Sequence, residues 1–110
     1  MVESSTRSLD HVFQALSDPT RRSILKRVSK KERAVGELAE SYSISLAAVS
    51  KHIQSLERAG LVSRRREGSF SYLRLNPEGL AHADKWIEDC RAFWQGSLSS
   101  LKDFIEKEEA

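Results

Sequence analysis

The stretch SLAAVSKHIQSLERAGLV, Ser45 to Val62, constrains the fold more tightly than any other part of the chain. Ser45 is placed to cap a helix N-terminus with its hydroxyl, and Gly60 stands where a helix would stop. Between them Leu46, Val49, Ile53 and Leu56 recur at steps of three and four, giving one narrow apolar stripe. On a helical wheel the opposite face carries Ala47, Ala48, Lys51, Gln54, Ser55 and Arg58, and the one acid nearby is Glu57. That face is small at its N-terminal end and rich in hydrogen-bond donors further along. Small residues let a helix backbone approach the bases in a nucleic-acid groove, while Lys, Gln and Ser reach base edges and phosphates. Most amphipathic helices with such a face are simply solvated surface, so the neighbouring segments must decide.

Upstream, Val35 to Tyr42 (VGELAESY) reads as a second short helix, and Ser43-Ile44 leaves room only for a tight turn. Two helices joined this way make a helix-turn-helix, whose second member lies in the major groove of DNA. Ala39 is small where the two would cross. Ser43 stands where such turns often carry a glycine at positive φ, a conformation serine tolerates less well. Downstream, VSRRREGSFSYLRL forms two short runs around Glu67-Gly68-Ser69, the pattern of a β-hairpin. A helix-turn-helix followed by a basic hairpin is a winged helix. The predicted fold is therefore mainly α with a β-hairpin wing (α+β): four helices, two strands, then a fifth helix.

The combination of DPTRRSIL (Asp18 to Leu25), VGELAE (Val35 to Glu40), the Ser45–Val62 stretch and the hairpin RRREGSFSYLRL closely resembles the ArsR family of bacterial winged-helix repressors. The likeness runs from about Leu9 to Asn76 and continues into the C-terminal segment. It implies a homodimeric repressor that binds double-stranded operator DNA and is relieved by a metal ion, a redox signal or another inducer. It also implies a dimer built from the first and last helices. The apolar residues there are Leu9, Val12, Phe13 and Leu16, then Trp86, Ile87, Cys90, Phe93, Trp94, Leu98 and Leu101.

At 110 residues the chain is one small domain. No apolar run approaches membrane-spanning length, and MVESSTRSLD lacks a signal-peptide core, so the expectation is a cytoplasmic protein without membrane contact. The single cysteine, Cys90, excludes an internal disulfide framework. Net charge is only +2, but residues 1–80 hold 14 Lys and Arg against 9 Asp and Glu, and residues 81–110 hold 4 against 7. A basic body with an acidic tail fits a protein that sets one surface on phosphates and another elsewhere.

In chain order, residues 1–8 are polar and expected to be disordered. Leu9, Val12, Phe13 and Leu16 mark a short amphipathic helix. Asp18-Pro19 opens the next one, with Asp as N-cap and Pro in the first turn, and Ile24, Leu25 and Val28 as its buried side. Arg21 and Arg22 near that start are either solvated or salt-bridged, or they touch phosphate. Ser29 to Arg33 (SKKER) reads as a charged loop. In the hairpin, the consecutive Arg64, Arg65 and Arg66 point alternately to opposite faces, with Gly68 and Ser69 at a slim tip. Val62, Phe70, Tyr72, Leu73 and Leu75 are candidates for packing the wing on the core. The DNA-binding domain thus spans 9–76, with helix 45–59 and wing 62–75 as its contact elements. Residues 77–108 form a long C-terminal dimerisation helix, in which Gly96 and the serines at 97, 99 and 100 are expected to bend or loosen the middle. Two Trp and two Phe on its near-heptad stripe are too much apolar area to leave in water at roughly 25 cal/mol per Å².

The predicted DNA contacts are Ser45, Ser50, Lys51, Gln54, Ser55 and Arg58, with Ala47 and Ala48 for close approach and His52 flanking them. Arg64, Arg65, Arg66 and Ser69 would clamp the flanking backbone. VGELAESY carries none of the paired cysteines of metal-sensing relatives, and His82, Asp84, Glu88 and Asp89 lie at poor ligand spacing, so neither a metal nor a cofactor is expected. Cys90 reads as a small packing residue, its redox use being the sharper alternative. Trp86, Phe93 and Trp94 could line an inducer pocket, though packing is the simpler use. No nucleophile–base pair, carboxylate dyad or phosphate loop stands at usable spacing, which argues against an enzyme. The rival to a repressor is a protein-interaction winged helix whose aromatic C-terminal face binds another protein.

Overall fold

The computed structural model describes residues 2–109, with side chains from residue 9 onward. Helix α1 spans Val2–Leu16, α2 Pro19–Lys30, α3 Val35–Glu40 and α4 Leu46–Arg58. A strand β1, Arg33–Ala34, precedes α3, and the hairpin β2, Val62–Glu67, and β3, Phe70–Leu75, follows α4. A 3₁₀ turn, Pro77–Leu80, leads into α5, Ala81–Glu109. The sheet order is β1-β3-β2, antiparallel throughout. This is the winged helix-turn-helix architecture, with one more strand than the sequence suggests.

Several boundaries move. Residues 2–8, expected to be disordered, continue α1, and Met1 lies outside the described residues. No glycine or proline interrupts Val2–Leu16, and a helix once nucleated adds residues at little cost. Of the expected loop 29–33 only Lys31 and Glu32 remain outside an element, since α2 runs to Lys30 and β1 begins at Arg33. Arg33 pairs with Leu73 and Ala34 with Tyr72, so these two residues take the free edge of β3. The turn between α3 and α4 uses no positive φ, so Ser43 meets no backbone strain there. The middle of α5 is helical through Gly96 and the three serines, without interruption.

Local chemistry explains the ends. Asp18 accepts the Arg21 backbone N–H at 3.0 Å, with Pro19 at the first helical position. The Ser45 hydroxyl accepts from the Ala48 N–H at 3.1 Å. Past Arg58 the chain closes in a Schellman motif: Leu61 N–H donates to the Leu56 carbonyl, and Gly60 N–H to that of Glu57, with Gly60 at φ +73°. Glu67 faces Phe70 across a two-residue loop in which Gly68 takes φ +61°, the position that type II′ hairpin turns reserve for glycine.

The core gathers Val12 and Ala15 of α1, Ile24 and Val28 of α2, Leu38 of α3, Val49, Ile53 and Leu56 of α4, and Leu61, Val62 and Leu73 around the hairpin. From α5 it takes only Ala83. Val12 is therefore a core residue of its own subunit, and its expected place in a dimer interface is corrected. A strand alternates its faces, so Val62, Leu73 and Leu75 turn inward while Phe70 and Tyr72 turn out; Phe70 is 62% exposed. Those two leave the list of residues packing the wing on the core.

Beyond its first turns α5 leaves the body. Its 29 residues reach about 44 Å at 1.5 Å each. The radius of gyration is 19.4 Å, against about 13 Å for a compact chain of this length. Phe13 of α1 meets Trp86 edge-on at a centroid distance of 5.6 Å. Further along, Phe93, Trp94, Leu98, Leu101, Phe104 and Ile105 are all exposed. No described helix is long and apolar enough to cross a membrane.

Candidate nucleic-acid interface

Three fully buried side chains, Val49, Ile53 and Leu56, pin α4 to the body through one face. The fourth member of the predicted stripe, Leu46, is 66% exposed, because the first turn of α4 stands clear of the body; Ile44 just before it is exposed as well. The outward face presents Ala47, Lys51, Gln54 and Arg58, all exposed, flanked by half-buried Ala48, Ser50 and Ser55. Among the described residues none of Lys51, Gln54 and Arg58 has an ion-pair or side-chain hydrogen-bond partner. The turn before α4 is tied down by Tyr42, whose hydroxyl lies 2.8 Å from the Ser23 hydroxyl and whose ring lies under the Arg27 guanidinium. The result is a rigidly seated helix with a small, cationic and unengaged outer face.

His52 occupies a different place from the one predicted. Its ring turns to the start of α2, with Nδ1 3.2 Å from Arg21 Nη1 and 3.9 Å from Asp18 Oδ2. Arg21 also donates from Nε to the Ala15 carbonyl and from Nη2 to that of Gln14, both at 2.8 Å, while Arg22 donates to the Leu16 carbonyl. Neither arginine is simply solvated: the two supply the hydrogen bonds that the end of α1 lacks. The Asp18 carboxyl is held below its ordinary pKa chiefly by the Arg21 backbone N–H, with the Thr20 N–H acting in the same direction.

The three wing arginines divide. Arg64 shares a sheet face with Val62 and Leu73, turned toward the helices, and its Nη2 lies 2.8 Å from Glu57 of α4. Arg65 is on the other face, stacked over the Tyr72 ring at 4.8 Å, bound to Glu32 and, at 2.9 Å, to Glu67. These carboxylates, Glu67 foremost, raise its already high pKa. Arg66 is exposed, lies on the Arg64 side and has no charged partner among the described residues. Ser69 is exposed at the tip. Nothing in the sequence around Glu57 and Glu32 marks them for the wing, yet these two brace it from both sides.

Elsewhere, Cys90 is half-buried with a free thiol. Among the described residues no three or more His, Cys, Asp and Glu stand together as a metal site. A groove of about 440 Å³ lies between α1 and the start of α5, lined by Phe13, Leu16, Pro77, Leu80, Ile87 and Asp84 among others. Trp86, Phe93 and Trp94, considered above for a pocket, do not line it.

A short helix, a tight turn, a second helix with an open polar face and a braced basic hairpin define the class: a winged helix-turn-helix. A helix-turn-helix domain model matches residues 16–65. The HTH-type transcriptional regulator Rv2034 of Mycobacterium tuberculosis is 39% identical over 96% of this chain and 95% of its own. The transcriptional repressor SdpR of Bacillus subtilis is 37% identical over 72% and 88%. Among solved structures, an ArsR-like transcriptional regulator from Rhodococcus superposes with a TM-score of 0.77 at 29% identity, covering 92% of this chain and 95% of that one. The homodimeric winged helix-turn-helix DNA-binding domain of a possible ArsR-family regulator from Mycobacterium bovis gives 0.64 at 28% identity, covering 83% and 86%. The chain belongs to the ArsR family of winged helix-turn-helix transcriptional regulators.

Proposed function

We propose that the chain is a homodimeric, sequence-specific DNA-binding repressor acting in the cytoplasm, and that each subunit lays α4 in a major groove. The observation that carries this reading is the face of α4: small at Ala47 and Ala48, cationic and polar at Lys51, Gln54 and Arg58, and without an intramolecular partner among the described residues. Ser45, Ser50 and Ser55 join those contacts at the edges of the helix. In the wing, Arg66 and Ser69 take the flanking phosphates. Arg64 and Arg65 hold the wing in place through their carboxylate partners, and His52 faces α2 instead of the groove.

A second copy of the chain covers the aromatic face of α5. So large a contiguous apolar surface is unusual on a monomer. The homodimeric state of the Mycobacterium bovis relative supports the same assembly. With Val12 removed, the interface residues are Leu9, Phe13, Leu16, Trp86, Ile87, Cys90, Phe93, Trp94, Leu98 and Leu101. Half-sites would then be separated by the distance between the two recognition helices, giving an inverted repeat.

Genomic fragments selected on the purified protein test this across a salt series. Enrichment of one inverted-repeat site, with affinity falling steeply as salt rises, is the expected result. Lys51→Glu should abolish binding to that site and leave the dimer intact. Recovery of random fragments or none, with a heteromeric partner seated on α5 instead, would overturn the reading in favour of a protein-interaction module.

A further inference from the structure

We propose that Arg21 is a positioning residue for DNA recognition: by holding His52, it fixes the rotation of α4 relative to the end of α1. The inference rests on the DNA-binding reading above. Apolar contact through Val49, Ile53 and Leu56 keeps α4 against the body, but such contact is non-directional and permits small rotations about the helix axis. A hydrogen bond at the edge of that stripe does not. His52 supplies it, next in sequence to Lys51 and two residues before Gln54, so the same rotation sets where those two side chains point.

A guanidinium has only N–H donors and no acceptor, so Arg21 Nη1 donates and His52 Nδ1 accepts at 3.2 Å. For Nδ1 to accept, the ring proton must sit on Nε2. Arg21 is itself held at two further points by the Ala15 and Gln14 carbonyls at 2.8 Å each. Those carbonyls belong to the last turn of α1, at the negative end of its dipole, which favours the cation there. Phe13, next in the chain to Gln14, packs on Trp86 of α5. One side chain thus links the end of α1, which touches the dimerisation helix, to the helix that reads DNA. The spacing of the two subunits and the orientation of the recognition helix meet at Arg21.

The test uses the full chain and the operator recovered by genomic selection. Arg21→Gln and His52→Phe remove the bond from either side. His52→Asn retains an acceptor close to where Nδ1 lies. Specific affinity, affinity for random DNA and the dimer dissociation constant are measured for each, with long-range proton–nitrogen NMR of His52 in the wild type. Arg21→Gln and His52→Phe should each weaken operator binding about tenfold, the size of a typical coupling between sites. Random-DNA binding and dimerisation should hold, and the double variant should lose no more than either single one. His52→Asn should restore most of the affinity, and the NMR should place the proton on Nε2. Should Arg21→Gln unfold the end of α1, the two His52 variants leave that end intact and carry the comparison. Folded variants that bind like the wild type, additive losses, failure of His52→Asn to rescue, or a proton on Nδ1 would overturn the proposal alone. A wild-type protein without a specific site would overturn the DNA-binding reading and this one with it.

Discussion

Gly79 lies directly against the peptide of Gly60: a β-carbon on Gly79 would stand 2.8 Å from the Gly60 carbonyl carbon and nearer still to its oxygen. Asn76 closes the same corner. Its side-chain amide donates to the Gly60 carbonyl at 2.8 Å, and its backbone N–H donates to the Leu61 carbonyl at 2.9 Å. The chain passes from the wing into α5 through this contact, so the end of α4 and the start of α5 are locked together. Gly79→Ala must push one of two backbone segments aside, at a cost of about 1–3 kcal/mol. Urea unfolding should show it, whereas Gly36→Ala, with open space around the site, should raise stability by up to about 1 kcal/mol through helix propensity.

Arg66→Ala and Arg65→Ala should part company in a salt titration of operator binding. Loss of a phosphate contact at Arg66 lowers the slope of log affinity against log salt by about one, and weakens all sequences alike. Loss of Arg65 removes the tie to Glu32 and Glu67 and the stacking on Tyr72, so its signature is a less stable wing with the slope nearly unchanged. Equal slopes for the two variants would contradict the division of labour between them.

Asp18 makes stability depend on pH in a definite direction. Its native pKa is depressed below the ordinary 3.8, first by the Arg21 N–H, so its contribution is complete above the unfolded value and is lost as pH falls through the native one. Wild type should melt higher than Asp18→Asn at pH 6, and the gap should narrow as pH falls below the unfolded value of 3.8 and through the lower native one, where the carboxylate is protonated. Thermal melts of both proteins across that range check the sign.

Substituting Glu for Trp94, which is 62% exposed in the single subunit, should shift the protein from dimer to monomer without unfolding it. Sedimentation reads the mass, and circular dichroism confirms that helix and core survive. Operator affinity should fall with the dimer, since each half-site then binds alone. A dimer that persists would place the interface elsewhere.

How much of this was legible in the chain follows from the range of the forces involved. Caps and stops were readable at Asp18, Ser45 and Gly60, because each satisfies backbone groups within three to five residues of itself. The hairpin and the buried faces of α2 and α4 were readable from period alone. Tyr72 and Leu73 are adjacent on a strand and cannot share a face, whereas the exposure of Leu46 at the start of α4 depends on where the rest of the body ends. The strand β1 was out of reach, since two residues have no period and their pairing exists only because β3 offers a free edge.

Which charges are available to a partner was decided by folding. Arg64, Arg65 and Arg66 are alike in sequence, yet among the described residues two are committed to carboxylates and one is not. Arg65 meets Glu32 from 33 positions away, and Arg21 meets His52 from 31. The five helices, the hairpin, the caps at Asp18, Ser45 and Gly60 and the family they compose came from contiguous residues, because backbone hydrogen bonding and side-chain periodicity act over a few positions. Ion pairing acts through space, so the roles of Arg21, His52 and the wing arginines appeared only once the chain had brought those distant groups within a few ångströms.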